Sequence, residues 1–282
     1  MIMLDPTRLD AYLARLGIDA PPSPTLEGLD ALIAAQLTRI PFENIDPLLG
    51  SPIRIDIDTV FDKLVMRRRG GYCFELNTLL AAALTALGYS VTPLAARVRW
   101  GVADTVQTLA SHILLRVEVA HRSYLADVGF GGPTPYQALP LSAPTARSFP
   151  YRLVAAPEDT MPGDAFHCRD LEVRGPDGWL KVYRFDLSPQ PWIDFIPRNW
   201  YISTHPDSIF TQRLMLARTD GDLRLTLANG ELAERSAKGN LRRQILTSAD
   251  DVIDAIVNRF QVELDADLRD RLGRVLPTLL HT

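Results

Sequence analysis

At 282 residues the chain exceeds what a single hydrophobic core usually holds, so two or three domains are expected. Hydrophobic residues at 46% and charged residues at 23% exclude a disordered chain, and the formal charge of −4 comes from interspersed acids and bases, which argues against nucleic-acid or anionic-lipid partners. Two cysteines, Cys73 and Cys168, are too few for a disulfide framework and point to a reducing compartment.

The N-terminus carries Asp5, Arg8 and Asp10 where a signal peptide needs an apolar core, and no apolar run reaches the length of a membrane span, so cytoplasmic residence is expected. Asp5-Pro6 predicts a capped helix with Leu9, Tyr12, Leu13 and Leu16 on one face, ended by Gly17. A Pro-rich turn leads to a second helix striped by Leu26, Leu29, Ile33, Leu37 and Ile40 and stopped by Pro41. Asp58 is expected to cap a third helix carrying Phe61, Leu64 and Val65. Arg67-Arg68-Arg69 is a basic patch too short to hold a polymer. The stretch 73–87, closed by Gly88, makes a fourth helix that is apolar almost all round and therefore central.

Past Gly88 the period changes to two. Strands are predicted at 91–100, 112–119, 124–128 and 151–155, with a hairpin over 171–185 turning near Asp177-Gly178. Closely spaced strands suggest an antiparallel sheet or small barrel. The loop 101–110 reads as polar and flexible, and Pro133, Pro135, Pro140, Pro144 and Pro150 suggest a surface path between strands. A mixed aromatic and polar connector covers 199–206. Short strands near 214–217 and 223–228, a turn at Asn229-Gly230 and helices near 248–259 and 265–276 then form an α/β segment.

Chemistry concentrates at Arg69-Gly70-Gly71-Tyr72-Cys73-Phe74-Glu75-Leu76-Asn77. A thiol at the first turn of a helix faces unpaired N–H groups and the positive end of the helix dipole, both of which favour thiolate. A buried structural cysteine is the competing reading. A nucleophilic cysteine needs a base, and of five histidines His112 opens an apolar strand beside the polar loop. His121 sits in a turn and reads as solvated, while His167, His205 and His281 stay open. Asp127, in Leu125-Ala126-Asp127-Val128-Gly129-Phe130-Gly131-Gly132, is an acid in an apolar strand and calls for a donor such as an imidazole N–H. A turn at His121-Arg122-Ser123 would pair the two strands, without deciding whether His112 and Asp127 share a face. The glycines 129, 131 and 132 are no dinucleotide fingerprint, because prolines follow them instead of a helix.

These stretches, with Pro41-Phe42-Glu43-Asn44-Ile45, Ser111-His112 and Asn199-Trp200-Tyr201, resemble the arylamine N-acetyltransferases and come in that family's order. The resemblance implies an α+β fold with a cysteine-protease-like catalytic core: an N-terminal helical bundle (1–89) with the nucleophile, a central antiparallel β-barrel (90–198) with the His and Asp of a triad, and a C-terminal α/β lid (199–282). It further implies Cys73 as nucleophile, His112 as base, Asp127 as orienting acid, Arg69 and Glu43 as an ion pair bracing the cysteine loop, and Asn77 as support. Phe42, Val98 and Phe130 would line an acceptor pocket, and Phe130 with Gly131 would flank the pantetheine arm.

The implied reaction is ping-pong transfer of acetyl from acetyl-coenzyme A to an arylamine, arylhydrazine or N-hydroxyarylamine, without metal, by a protein that is either monomeric or homodimeric. The alternatives are a cysteine hydrolase or transglutaminase-like acyltransferase using the same triad, and a binding protein that keeps the fold without turnover. For the charged end of coenzyme A, Arg97, Arg99, Lys238, Arg242 and Arg243 are candidates.

Overall fold

Helix α1 (Pro6–Leu16) starts where the Asp5 carboxylate accepts a hydrogen bond from Arg8 N at 3.0 Å and ends at Gly17, whose φ of 76° suits a residue without Cβ. Helix α2 (Leu26–Arg39) is capped by Thr25 and followed by strand β1 (Phe42–Glu43) and the short helix α3 (Ile45–Leu48). This computed structural model describes residues 2–142, 150–156, 168–236 and 239–280; Pro144, His167, Lys238 and His281 lie outside them.

The third predicted helix is corrected in its cap. Helix α4 (Ile57–Phe61) is capped by Asp56, which accepts from Thr59 N at 3.0 Å, whereas Asp58 lies inside it and pairs with Arg8 at 2.5 Å. It runs on as a single π-helical turn over Asp62–Met66. Helix α5 (Cys73–Ala86) is buried from Cys73 through Leu84, as an all-round apolar helix must be. Tyr12 donates to Gln36 Oε1 at 2.7 Å and Gln36 Nε2 donates to Leu76 O at 3.0 Å, so α1, α2 and α5 share one buried polar chain.

Strands β2 (Ser90–Val98), β3 (His112–Val119), β4 (Arg122–Ala126), β5 (Leu139–Pro140), β6 (Tyr151–Ala155), β7 (Arg169–Gly175) and β8 (Gly178–Phe185) form an antiparallel sheet ordered β5-β4-β3-β2-β8-β7-β6. Leu125 and Leu139 near one edge share a core with Tyr151 and Val173 near the other. The sheet is therefore curled into a half-barrel, with β5 and β6 unpaired to each other among the described residues. The other face, through Ile113, Leu115 and Val117, packs with α5 in the main core. The β3–β4 turn is Ala120-His121, both at positive φ, and not the predicted His121-Arg122-Ser123.

A 3₁₀ turn (Trp192–Asp194) leads into α6 (Phe195–Thr204), so the predicted connector at 199–206 is mostly helix. Its buried residues Phe195, Asn199, Ile202 and Ser203 recur at helical spacing, a period disguised by Pro197 and the aromatic residues. After α7 (Ile209–Gln212) come β9 (Met215–Asp220), β10 (Leu223–Ala228), β11 (Glu231–Ser236) and β12 (Leu241–Ile245), then α8 (Ala249–Asn258) and α9 (Ala266–Leu280). The last two strands escape sequence reading because β12 is wholly exposed and carries Arg242 and Arg243 without alternation. The five-stranded sheet runs β1-β9-β10-β11-β12, so its first strand is supplied by the N-terminal region, with Glu43 opposite Leu216.

Candidate active site

Cys73 is the first residue of α5, and the loop before it is fixed by buried charge. Tyr72 N donates to Glu75 Oε2 at 3.0 Å, closing the first turn of the helix against its own backbone. Lys63, on the π-helical turn, donates to Glu75 Oε1 at 2.7 Å and meets Asp46 Oδ2 at 2.7 Å. Arg69 binds Glu43 Oε1 through Nη2 at 2.7 Å and Nε at 3.1 Å, and Asp46 Oδ1 through Nη2 at 3.0 Å. The expected Arg69–Glu43 pair is thus one part of a five-member cluster. Burial pushes Glu75 up to about 7 against the opposing pull of Lys63, and the nearby Asp46 and Glu43 charges add to the rise. At Asp46 the Lys63 and Arg69 charges outweigh burial and hold the carboxyl down at about 2.

His112 and Asp127 meet on the neighbouring sheet. Leu115 is opposite Ala126, so continuing the register places Asp127 opposite Leu114, on the same face as His112 two residues away. The face question left open by the sequence is decided by a turn one residue earlier than expected. Asp127 itself lies just past the end of β4. His112 Nε2 is 2.8 Å from Asp127 Oδ2, and both side chains are buried. Asn77, one turn into α5, donates to Asp127 Oδ1 at 2.9 Å and to Ile113 O at 2.8 Å, and accepts from Val128 N at 3.1 Å. Gly129 N also donates to Asp127 Oδ1, at 2.9 Å.

Electrostatics follow from these contacts. Burial alone would lower His112, but the Asp127 charge and hydrogen bond, with a further hydrogen bond to Cys73, push it up to about 10. Burial alone would raise Asp127, but His112, Asn77 and Gly129 N–H hold it below the usual carboxylate range. With Nε2 engaged by Asp127, Nδ1 is the ring nitrogen left for the sulfur. Cys73 Sγ also lies 3.9 Å from Ser111 O. The loop over Asp127 approaches closely: a Cβ on Gly129 would sit 2.6 Å from Cys73 Cα.

Of the other predicted residues, Phe130 stands edge-on to His112 with ring centres 5.4 Å apart. Phe42 packs on Gly131, where φ is +75° and a Cβ would come within 2.6 Å of the Phe42 ring. Val98 is opposite Tyr183 in the β2–β8 register. His121 is exposed in its turn, and His205 stacks on Tyr201 at 4.4 Å. Arg243 pairs with Glu231 at 3.2 Å on the exposed β12.

Sequence reasoning missed Lys63, Asp46, Glu75, Tyr72 and Tyr183. The Tyr183 ring centre lies 5.1 Å from that of His112, and its buried hydroxyl has no hydrogen-bond partner among the described residues. Tyr72 donates to Asn199 of α6, which in turn donates to Ile53 O at 2.8 Å. An acid three residues past Tyr72 was a readable capping signal for Glu75; nothing local announced Lys63. Among the described residues no group of His, Cys, Asp and Glu could hold a metal, and no helix is long and apolar enough to cross a membrane.

Comparison with known proteins gives consistent results. A family model described as N-acetyltransferase matches residues 25–269. The arylamine N-acetyltransferase of Mycolicibacterium smegmatis is 41% identical over 281 residues, covering 96% of this chain and 98% of that one. A Salmonella typhimurium protein named arylamine N-acetyltransferase / N-hydroxyarylamine O-acetyltransferase is 37% identical, covering 78% of this chain and 76% of its own. The solved structure of Mycobacterium marinum arylamine N-acetyltransferase in complex with CoA superposes with a TM-score of 0.88 at 36% identity, covering 96% of this chain and 99% of that one.

Proposed function

The chain belongs to the arylamine N-acetyltransferase family, and from that premise we propose that it moves an acetyl group from acetyl-coenzyme A to an arylamine, arylhydrazine or N-hydroxyarylamine through an acetyl-cysteine at Cys73. The observation that carries the proposal is the buried line Cys73, His112, Asp127, Asn77, with His112 held at 2.8 Å by Asp127.

In the first half-reaction Sγ of Cys73 attacks the thioester carbonyl carbon. The bond from that carbon to the coenzyme A sulfur breaks, and the thiolate leaves with the proton held on His112. In the second, the amine nitrogen attacks the acetyl carbon, its proton passes to His112, and the bond to Sγ breaks to restore the nucleophile. Asp127 orients the ring and stabilises its charge, and Asn77 holds Asp127 in turn. Main-chain N–H groups of Cys73 and Phe74, in the first turn of α5, are the oxyanion donors in this mechanism. Phe42, Val98 and Phe130 are assigned to the acceptor, and Phe130 with Gly131 to the pantetheine arm; the Phe130 ring beside His112 supports its place in both.

The proposal assigns the nucleophile to 1–89, its two partners to 90–198 and a lid to 199–282, the second division falling inside α6. It includes cytoplasmic residence, in keeping with two cysteines not joined in a disulfide. The test is mass spectrometry after mixing with acetyl-coenzyme A. An acetyl adduct is expected on Cys73, absent from Cys73→Ala, and discharged by an arylamine with formation of the acetylated amine. An adduct that persists in Cys73→Ala refutes the mechanism, and discharge equally fast without amine makes the protein a thioester hydrolase.

A further inference from the structure

Arg224 is a largely buried cation that meets carbonyl oxygens where a carboxylate would be expected. It stands on β10, opposite Thr219 of β9, in the five-stranded sheet of the C-terminal segment. Its Nη1 donates to Gly132 O and its Nη2 to Thr134 O at 2.6 Å, with Tyr151 Oη 3.4 Å from the same Nη2. The guanidinium lies over the Tyr136 ring, with Cζ 5.2 Å from the ring centre. Among the described residues no carboxylate oxygen comes within 4.0 Å of it. Withdrawing a charge from water without a counter-ion is costly. What the guanidinium offers in return is a rigid planar fork that holds two acceptors at a fixed separation.

Both carbonyls belong to the loop 129–134, which follows Asp127 and comes close to Cys73 at Gly129. Backbone bonding does not hold this loop: among the described residues, 129–134 make no main-chain to main-chain hydrogen bond. Packing leaves a gap beside it as well, a cavity of about 20 Å³ whose walls include Phe42, Val128, Gly131, Gly132, Thr134 and Arg224. Side chains at the two ends of the loop therefore fix its course. At the first end Gly129 N donates to Asp127 Oδ1 at 2.9 Å. At the second Arg224 takes Gly132 O and Thr134 O, and Tyr151 Oη donates to Thr134 O at 2.9 Å. Between these ties stand Phe130, edge-on to His112, and Gly131, against the Phe42 ring.

We propose that Arg224 is a positioning residue for the reactive centre: from β10 it fixes the loop 129–134, and thereby keeps the Gly129 N–H on Asp127 and the Phe130 ring on His112. The assignment rests on the acetyl-transfer reading in taking Cys73, His112 and Asp127 as the reacting unit. It gives the C-terminal segment, 92 residues beyond Gly132, a part in the geometry of the site.

The experiment compares wild type with Arg224→Met, Arg224→Lys and Arg218→Met. Arg218 is the matched control. It is 6% exposed on the neighbouring β9 and likewise gives its guanidinium to carbonyls, Nε to Thr38 O and Nη1 to Arg259 O at 2.8 Å each, while Nη2 is 3.8 Å from Asp220. Urea unfolding reads stability, imidazole NMR reads the titration of His112, and mass spectrometry reads the rate of acetylation at Cys73. Asp127, Cys73 and Tyr183 are the titratable groups at the His112 ring. A freed loop admits water beside Asp127, which moves His112 from about 10 down toward its ordinary 6.5. Arg224→Met is expected to show that movement and to slow acetylation roughly tenfold or more. Arg224→Lys, with the charge but not the fork, is expected to fall between Arg224→Met and wild type. Arg218→Met is expected to lose stability with the His112 titration of wild type. A titration unchanged in Arg224→Met, or moved equally in Arg218→Met, makes Arg224 a tie of the fold alone and overturns the proposal. If Arg224→Met does not fold, Arg224→Lys is judged by the same two outcomes. Should Cys73 take up no acetyl, NMR still decides the role of Arg224, so the two readings fail separately.

Discussion

Removing Arg69 tests whether the buried charge cluster holds the cysteine loop. The Arg69 side chain is 3% exposed and that of Glu43 0%, so Arg69→Met strips Glu43 Oε1 of contacts at 2.7 and 3.1 Å and Asp46 Oδ1 of one at 3.0 Å, with little water to replace them. Lys63 is left alone with three carboxylates. Breaking a buried ion pair from one side costs about 3 to 5 kcal/mol, because the partner's charge stays behind. Glu43→Gln in the same chain removes that stranded charge while keeping an oxygen to accept from Ile45 N, which lies 2.7 Å from Glu43 Oε2. The double variant is therefore expected to be more stable than the sum of the single losses by about 2 kcal/mol or more. Urea unfolding of the four proteins measures the coupling, and the iodoacetamide rate at Cys73 reports the loop. Additivity to within about 0.5 kcal/mol would show that the cluster does not act as a unit and would refute the reasoning.

Glu75 gives a pH signature. Its folded value is raised from 4.5 to about 7, so its contribution is complete below the unfolded value and is lost as pH rises through 7, amounting to about 3 kcal/mol. Glu75→Gln should flatten the stability profile between those two values, read by urea midpoints across pH; an unchanged slope would assign the titration elsewhere. Asp127→Asn should let the His112 ring lose its proton well below the native value of about 10, because Asp127 supplies the main raising influence; imidazole NMR shifts measure this. Gly129→Ala introduces a Cβ 2.6 Å from Cys73 Cα and 2.8 Å from Asn77 Nδ2, and is expected to cost about 1 to 3 kcal/mol and most of the acetylation rate at Cys73, checked by unfolding and by adduct formation.

Much of the site was legible because its chemistry is local. A thiol at a helix start, a histidine opening a strand and an acid before glycines each carry a reason in their immediate neighbours. What bound them was not local. His112 and Asp127 share a face only because the hairpin turns at Ala120-His121, a matter of one residue that alternation alone does not settle. Lys63 could not be found at all, since a π-helical turn shifts its side chain out of the 3.6-residue period by which helices are recognised. α6 was hidden by Pro197, and β12 by an arginine pair with no buried face to mark its register. The helices of the core, by contrast, were announced by caps and apolar stripes, save that Asp56 and not Asp58 begins α4.

Strand β1 has a consequence for the order in which the protein is completed during synthesis. Glu43 N donates to Gly71 O at 2.9 Å, and Gly71 N to Pro41 O at 3.2 Å, so the glycines before Cys73 lean on β1; β1 in turn leans on β9, through Phe42 opposite Ala217 and Glu43 opposite Leu216. A chain emerging from the ribosome has made Cys73 long before it makes residues 215–220. Until they arrive, β1 is an open sheet edge and the loop before Cys73 rests on an unfinished support. The thiol is born early and seated late, and a nascent chain stalled before β9 would present it without the framework that restricts what it reacts with.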